Sequence, residues 1–123
     1  MSSPRIIRLD ASDLGPWTSI RQPGVIDADA QSRGRVHFDE KRGAARVYSG
    51  VWEATPHVEK IADFPMDEIM FVLEGSCTIV DDTGHAETFA AGDAFLMPKG
   101  FTGEWRQDET MRKFYLIADY SAA

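Results

Sequence analysis

Few side chains in this sequence can do chemistry, and most of them fall on short apolar runs. Glu68 heads the run Ile69-Met70-Phe71-Val72-Leu73, so its carboxylate opens an apolar segment. A carboxyl in apolar surroundings is harder to ionise, which suits it to general acid or base work. Lys113 and Tyr115 stand two residues apart near the C-terminus, a spacing that puts them on one face of an extended strand. An ammonium beside Glu68 acts in the opposite sense and keeps it ionised. Carboxylate, indole, phenol and ammonium in an apolar cup suit a small polar organic ligand, with the wall supplying burial and the polar groups orientation. Of the three histidines, His37 falls on an edge-like segment, His85 follows a turn, and His57 opens an alternating run. Cys77 reads as a small apolar strand residue and not as a reactive thiol. With one cysteine there is no internal disulfide.

The elements that carry these residues read as strands. Ala44 to Thr55 alternates, with Arg46, Tyr48, Gly50, Trp52 and Ala54 on one face. His57 to Phe64 alternates again, with His57, Glu59, Ile61 and Asp63 together, and Pro65 ends it. Glu68–Leu73, Ser76–Val80, His85–Phe89, Ala94–Met97, Thr102–Gln107 and Met111–Ala118 follow. Asp81-Asp82-Thr83-Gly84, Ala91-Gly92-Asp93, Pro98-Lys99-Gly100 and Asp108-Glu109-Thr110 separate them as turns. Short runs at this spacing predict an all-β barrel or sandwich. Upstream, Arg5–Leu9 is a short β-like run. Asp10–Trp17 is polar and turn-rich, with room for a turn of helix. Gln31–Gly34 reads as a loop, Arg35–Phe38 as a strand and Asp39–Gly43 as a charged turn. Glu59, Asp67 and Glu104 read as surface charges, Lys99 as a solvated loop residue, and Ser121-Ala122-Ala123 as a frayed end.

Composition narrows the partners. The 123 residues make one domain with enough chain for a core, and 43% are hydrophobic. Thirteen basic against 20 acidic residues leave a net charge of −7, which disfavours nucleic acid and anionic membrane surfaces. No apolar run approaches membrane-spanning length and the N-terminus lacks a signal peptide's apolar core, so the expected location is the cytoplasm.

The spacings also carry a resemblance. They are Gly50-x-Trp52-x-x-Thr55-Pro56, Glu68 followed by Leu73-Glu74-Gly75, Gly92-Asp93, Pro98-Lys99-Gly100-x-x-Gly103-x-Trp105 and Arg112-Lys113-x-Tyr115. Together they resemble the two motifs of the cupins, and in finer texture the small single-domain cupins related to ureidoglycine aminohydrolase. The resemblance implies an antiparallel jelly-roll barrel over residues 44–119. Residues 1–43 would be an N-terminal extension whose edge strands lengthen the sheets, all within one structural domain. It also implies a homodimer, with Ile6, Ile7 and Leu9 covering a sheet edge.

Many cupins hold a divalent metal through His-x-His and Glu in the first motif and a further His in the second. Here Glu68 takes the glutamate position. The two histidine positions fall on Pro56 and Val58 counted from Gly50, or on Ile61 and Asp63 counted from Glu68, and the last falls on Gly103. Glu68 and Asp63 are then the most that survives, too few for a tight transition-metal site. No cofactor is the leading expectation, with manganese or another divalent metal as the alternative. An inward Gly103 brings Trp105 and Gln107 inward, and an inward Glu68 brings Met70. With Lys113, Tyr115 and His57 these are the candidate pocket residues, and Glu68 is the candidate catalytic residue. The expected function is small-molecule binding by a cupin with a degenerate metal site. The alternative is a metal-dependent aminohydrolase of a small ureide-like metabolite.

Overall fold

Alternation of apolar and polar residues gives strands with one face each to bury, and ten strands satisfy that need by stacking as two sheets. The computed structural model describes residues 3–120, so the end expected to fray, Ser121–Ala123, lies outside it. The strands are β1 (Thr18–Ser19), β2 (Gln31–Arg42), β3 (Ala45–Ala54), β4 (His57–Ile61), β5 (Asp67–Glu74), β6 (Ser76–Asp81), β7 (Ala86–Ala90), β8 (Ala94–Met97), β9 (Gly103–Gln107) and β10 (Met111–Asp119). Six form a sheet in the order β1-β2-β3-β10-β5-β8, and four face it in the order β4-β9-β6-β7. Every neighbouring pair runs antiparallel, and the whole is a jelly-roll barrel. No helix among the described residues is long and apolar enough to cross a membrane.

Register sets the inner layers. Trp52, Lys113 and Val72 lie side by side across β3, β10 and β5. Gly50, Tyr115, Met70 and Phe95 form the next row, and Tyr48, Ile117, Glu68 and Met97 the one after. From the other sheet Glu59, Trp105 and Ile79 make a row across β4, β9 and β6. Met70, Val72, Cys77, Met97, Trp105 and Met111 fuse into the buried core between the sheets. Gly75 turns β5 into β6 with a φ of +76°, and a Cβ there would run into the Thr110 carbonyl. Both facts favour glycine.

The N-terminal third departs from expectation. Arg5–Leu9 forms no strand and Asp10–Trp17 no helical turn. Gln31–Gly34 and Asp39–Arg42, expected as loop and turn, belong to the 12-residue β2, and only residues 43–44 turn. Pairing with β3 along nearly its whole length supplies the backbone bonds that this charged segment's propensity does not. His37 sits at a bulge in β2, and its Nε2 donates to the Asp10 carbonyl at 2.7 Å. That bond helps tie the extended N-terminal segment to the sheet.

The same segment leaves β3 buried on both faces. On the outer face Val51 is fully covered and Glu53 is 5% exposed. Glu53 accepts from Arg33 at 2.6 Å and from Arg112 at 3.0 Å, so one carboxylate joins β2, β3 and β10. Replacing Glu53 by alanine strands two guanidinium groups. The expected loss is roughly 2 kcal/mol, less than a fully buried pair would lose, because both arginines keep some solvent contact. The urea midpoint of Glu53→Ala against that of Arg33→Ala measures this, and the arginine variant should lose less.

Candidate ligand-binding site

Between the sheets, at one end of the barrel, lies a cavity of about 580 Å³. Its wall is mainly aromatic and aliphatic, with Trp52, Trp105, Phe64, Met70, Met97 and Ile61 among the contributors. The polar groups on it are few: Gln22, Glu59, Glu68, Lys113, Tyr48, Tyr115 and Lys60.

The centre of the site is an ion pair. Lys113 on β10 and Glu68 on β5 are 7% and 8% exposed, with Nζ donating to Glu68 Oε2 at 2.8 Å. The ammonium also touches Met70 Sδ at 3.1 Å. It lies 4.8 Å from the Trp52 ring centre and 4.9 Å from that of Trp105. The two indoles stand edge to face, 6.1 Å apart, so the charge is held by one carboxylate and two π faces.

Tyrosines line the next layer. Tyr115 packs against Gly50, where a Cβ would stand 2.7 Å from its hydroxyl and collide with the Arg35 carbonyl, so only glycine leaves room for the phenol. Its hydroxyl finds no hydrogen-bond partner among the described residues. Tyr48 meets Tyr115 edge-on at 6.3 Å, and its hydroxyl points to Met66 Sδ at 3.6 Å. Burial pushes both phenols above their usual range.

Glu59 is the residue that sequence reasoning placed wrongly. Read as a surface charge, it lies half-buried on the cavity wall, on the face of β4 that carries His57 and Ile61. Its backbone pairs with Trp105, and its Cγ would lie 3.4 Å from a Cβ at Gly24. It makes no hydrogen bond or ion pair among the described residues. Burial holds its carboxyl above the ordinary value. The charges of His57 and Lys113 oppose that shift, and that of Glu68 adds to it. The signal that could have found it was the alternation of β4 itself.

Of the expected pocket residues, the structure places Glu68, Met70, Trp105, Lys113 and Tyr115 on the cavity wall. His57 and Gln107 face inward but do not line it, a correction to the expected placement. They sit side by side where β4 and β9 meet and close the barrel behind the cavity, each 3% exposed. Gln107 Nε2 donates to the carbonyls of Ala54, Thr55 and Glu109, while its Oε1 accepts from the Trp105 indole at 3.2 Å. His57 Nδ1 donates to the Thr55 carbonyl at 2.8 Å, and its ring meets Trp52 edge-on. Asp63 is not brought to Glu68. β4 ends at Ile61, and Asp63 sits in the following turn with a φ of +50°, exposed and off the cavity wall. Among the described residues no three His, Cys, Asp or Glu side chains stand close enough to hold a metal together. Glu68, the residue at the ligand position, is already engaged by Lys113. This donor set does not fit a divalent ion. Cys77 is buried and its thiol is pushed up to about 12, in keeping with a packing residue.

A two-sheet jelly roll with its cavity between the sheets defines the cupin class. The chain belongs to the EutQ-like cupin family, since residues 34–115 match the EutQ-like cupin domain. A protein of unknown function from Pseudomonas syringae pv. tomato is similar at 26% identity and a TM-score of 0.76, over 89% of this chain and 46% of that one. This chain therefore spans about half the length of that relative. The EutQ protein of Clostridium difficile aligns at 18% identity and a TM-score of 0.64, over 79% of this chain and 69% of that one. The polyketide cyclase RemF of Streptomyces resistomycificus aligns at 23% identity and 0.66, over 95% and 81%. These last two likenesses speak to the fold. No curated protein matches the sequence.

Two predictions follow from the charges. Lys113→Met and Glu68→Gln should each lower stability, the first by roughly 3 kcal/mol because it strands a buried carboxylate. The double variant should lose less than the sum, which a double-mutant cycle in urea measures. Glu59→Gln should act in the opposite sense. A carboxyl whose folded pKa is raised binds more protons folded than unfolded, so its ionisation destabilises the fold as pH rises through that window. The glutamine variant should thus be the more stable at pH 7, by a fraction of a kcal/mol at this half-exposed position, and the gain should vanish below the carboxylate range.

Proposed function

We propose that this cupin binds a small polar organic molecule between its sheets without a metal ion, with the Lys113 ammonium as the fixed cation of the site. The observation that carries the reading is the 2.8 Å pair between Lys113 and Glu68, set in the wall of a mostly apolar cavity. A cavity of about 580 Å³ is of the size that takes small ligands, with apolar area supplying burial and a few polar groups supplying orientation. The Tyr115 hydroxyl and the Glu59 carboxylate are among the groups left for a ligand to meet. The aminohydrolase reading, with a divalent metal on Glu68, would need that carboxylate released from Lys113 and further ligands that its surroundings do not provide.

Nitrogen-15 spectra of the indole N–H groups of Trp52 and Trp105, recorded during titration with a panel of small fragments of either charge, test the proposal. Saturable shifts that are unchanged by a chelator and lost in Lys113→Met are the expected result. Binding that disappears on chelation and returns with manganese would overturn it.

A further inference from the structure

Four ionised side chains line the cavity, and three of them are already matched. Glu68 holds Lys113 at 2.8 Å. Lys60 lies against Glu104 at 3.1 Å, a carboxylate that also accepts from Arg106 at 3.1 Å. Glu59 is therefore the one charged group on the wall without a direct partner among the described residues. We infer that Glu59 makes the cavity selective for a small organic cation, a primary ammonium or amidinium group on an apolar body. The inference rests on the proposal that the cavity binds a small molecule, and adds the charge class of what it binds.

Position supports the assignment. Glu59 reaches the wall from β4, in register with Trp105, and Gln22, Pro23 and Gly24 line the cavity beside it. The Lys60 amide donates to the Gly24 carbonyl at 2.8 Å, which draws this loop close to β4. A Cβ at Gly24 would collide with the Lys60 carbonyl, so the close approach requires glycine. The carboxylate is thus fixed between a loop and an aromatic wall, half removed from water. A bound cation would replace the lost hydration and form a charge-assisted hydrogen bond. A bound anion would face an unneutralised carboxylate in a medium poorer in water than bulk, which is unfavourable. The chain's net charge of −7 also draws cations towards it. The groups that bear on Glu59 are His57 on its own strand and Lys113 and Glu68 on the facing sheet, and the latter two neutralise each other.

Three probes of one shape and different charge decide the question: benzamidine, benzamide and benzoate, titrated into the full chain and into Glu59→Gln while the Trp52 and Trp105 indole signals are followed. Benzamidine should bind the unaltered chain about tenfold or more tightly than the other two, the scale of one charged hydrogen bond. Glu59→Gln should erase that preference. Benzoate or benzamide binding as well as benzamidine, or a preference that survives Glu59→Gln, would overturn this inference while leaving the binding function intact. Silence from all three probes would overturn both readings.

Discussion

The buried contact between Lys113 and Glu68 is the interaction on which the interior depends. Neither charge could sit so far from water alone, and neither could be removed without leaving the other unmatched. Two indoles and a thioether fill the remaining directions around the ammonium, so the pair also orients its neighbours. Trp105 faces the lysine with its ring and passes its N–H to Gln107. Gln107 in turn holds three backbone carbonyls at the closed end of the barrel. The shape of the cavity and the seal behind it thus follow from one ion pair through one tryptophan.

A second carboxylate plays the corresponding role outside the barrel. Glu53, on the outer face of β3, is gripped by Arg33 and Arg112. Arg33 stacks over Trp17 at 4.3 Å, so the leading segment, the long β2 and the last strand are fastened at one point. This arrangement explains how a strand as charged as Gln31–Arg42 is stable in a sheet. Several of its charged side chains are matched with neighbours, as Arg33 is with Glu53 and Asp39 with Arg46 at 2.7 Å, and its backbone is satisfied by β3.

Alternation made much of this legible from the sequence. Period two put Tyr48 with Trp52, Glu68 with Met70, and Lys113 with Tyr115, and the register across β3, β10 and β5 sets those faces together inside the barrel. The misplacements have physical causes. Parity tells which face a side chain takes but not how far along the barrel it lies, so His57 and Gln107 face inward yet close the end behind the cavity. Alternation also does not show where a strand stops. β4 ends at Ile61 and the turn carries Asp63 away from Glu68. Only Arg35–Phe38 of β2 reads as a strand, because the strand character of its two ends comes from the partner and not from their own residues. Residue type alone sets Glu59 among the surface charges, although its spacing from His57 and Ile61 puts it on the inner face.

Three carboxylates, Glu53, Glu68 and Glu59, then divide by what surrounds them. Glu53 has two guanidinium groups and Glu68 has an ammonium, so both are complete within the fold and their charge is spent on holding strands together. Glu59 is partly desolvated, without a partner of its own among the described residues to compensate it. Folding alone does not explain such a residue, since a neutral side chain at that position would remove the cost. A carboxylate kept where it weakens the fold, in the wall of a cavity and beside a loop that can approach only through a glycine, is accounted for by what comes into the cavity. On this argument the paired acids belong to the architecture of the barrel, and the unpaired one belongs to its ligand.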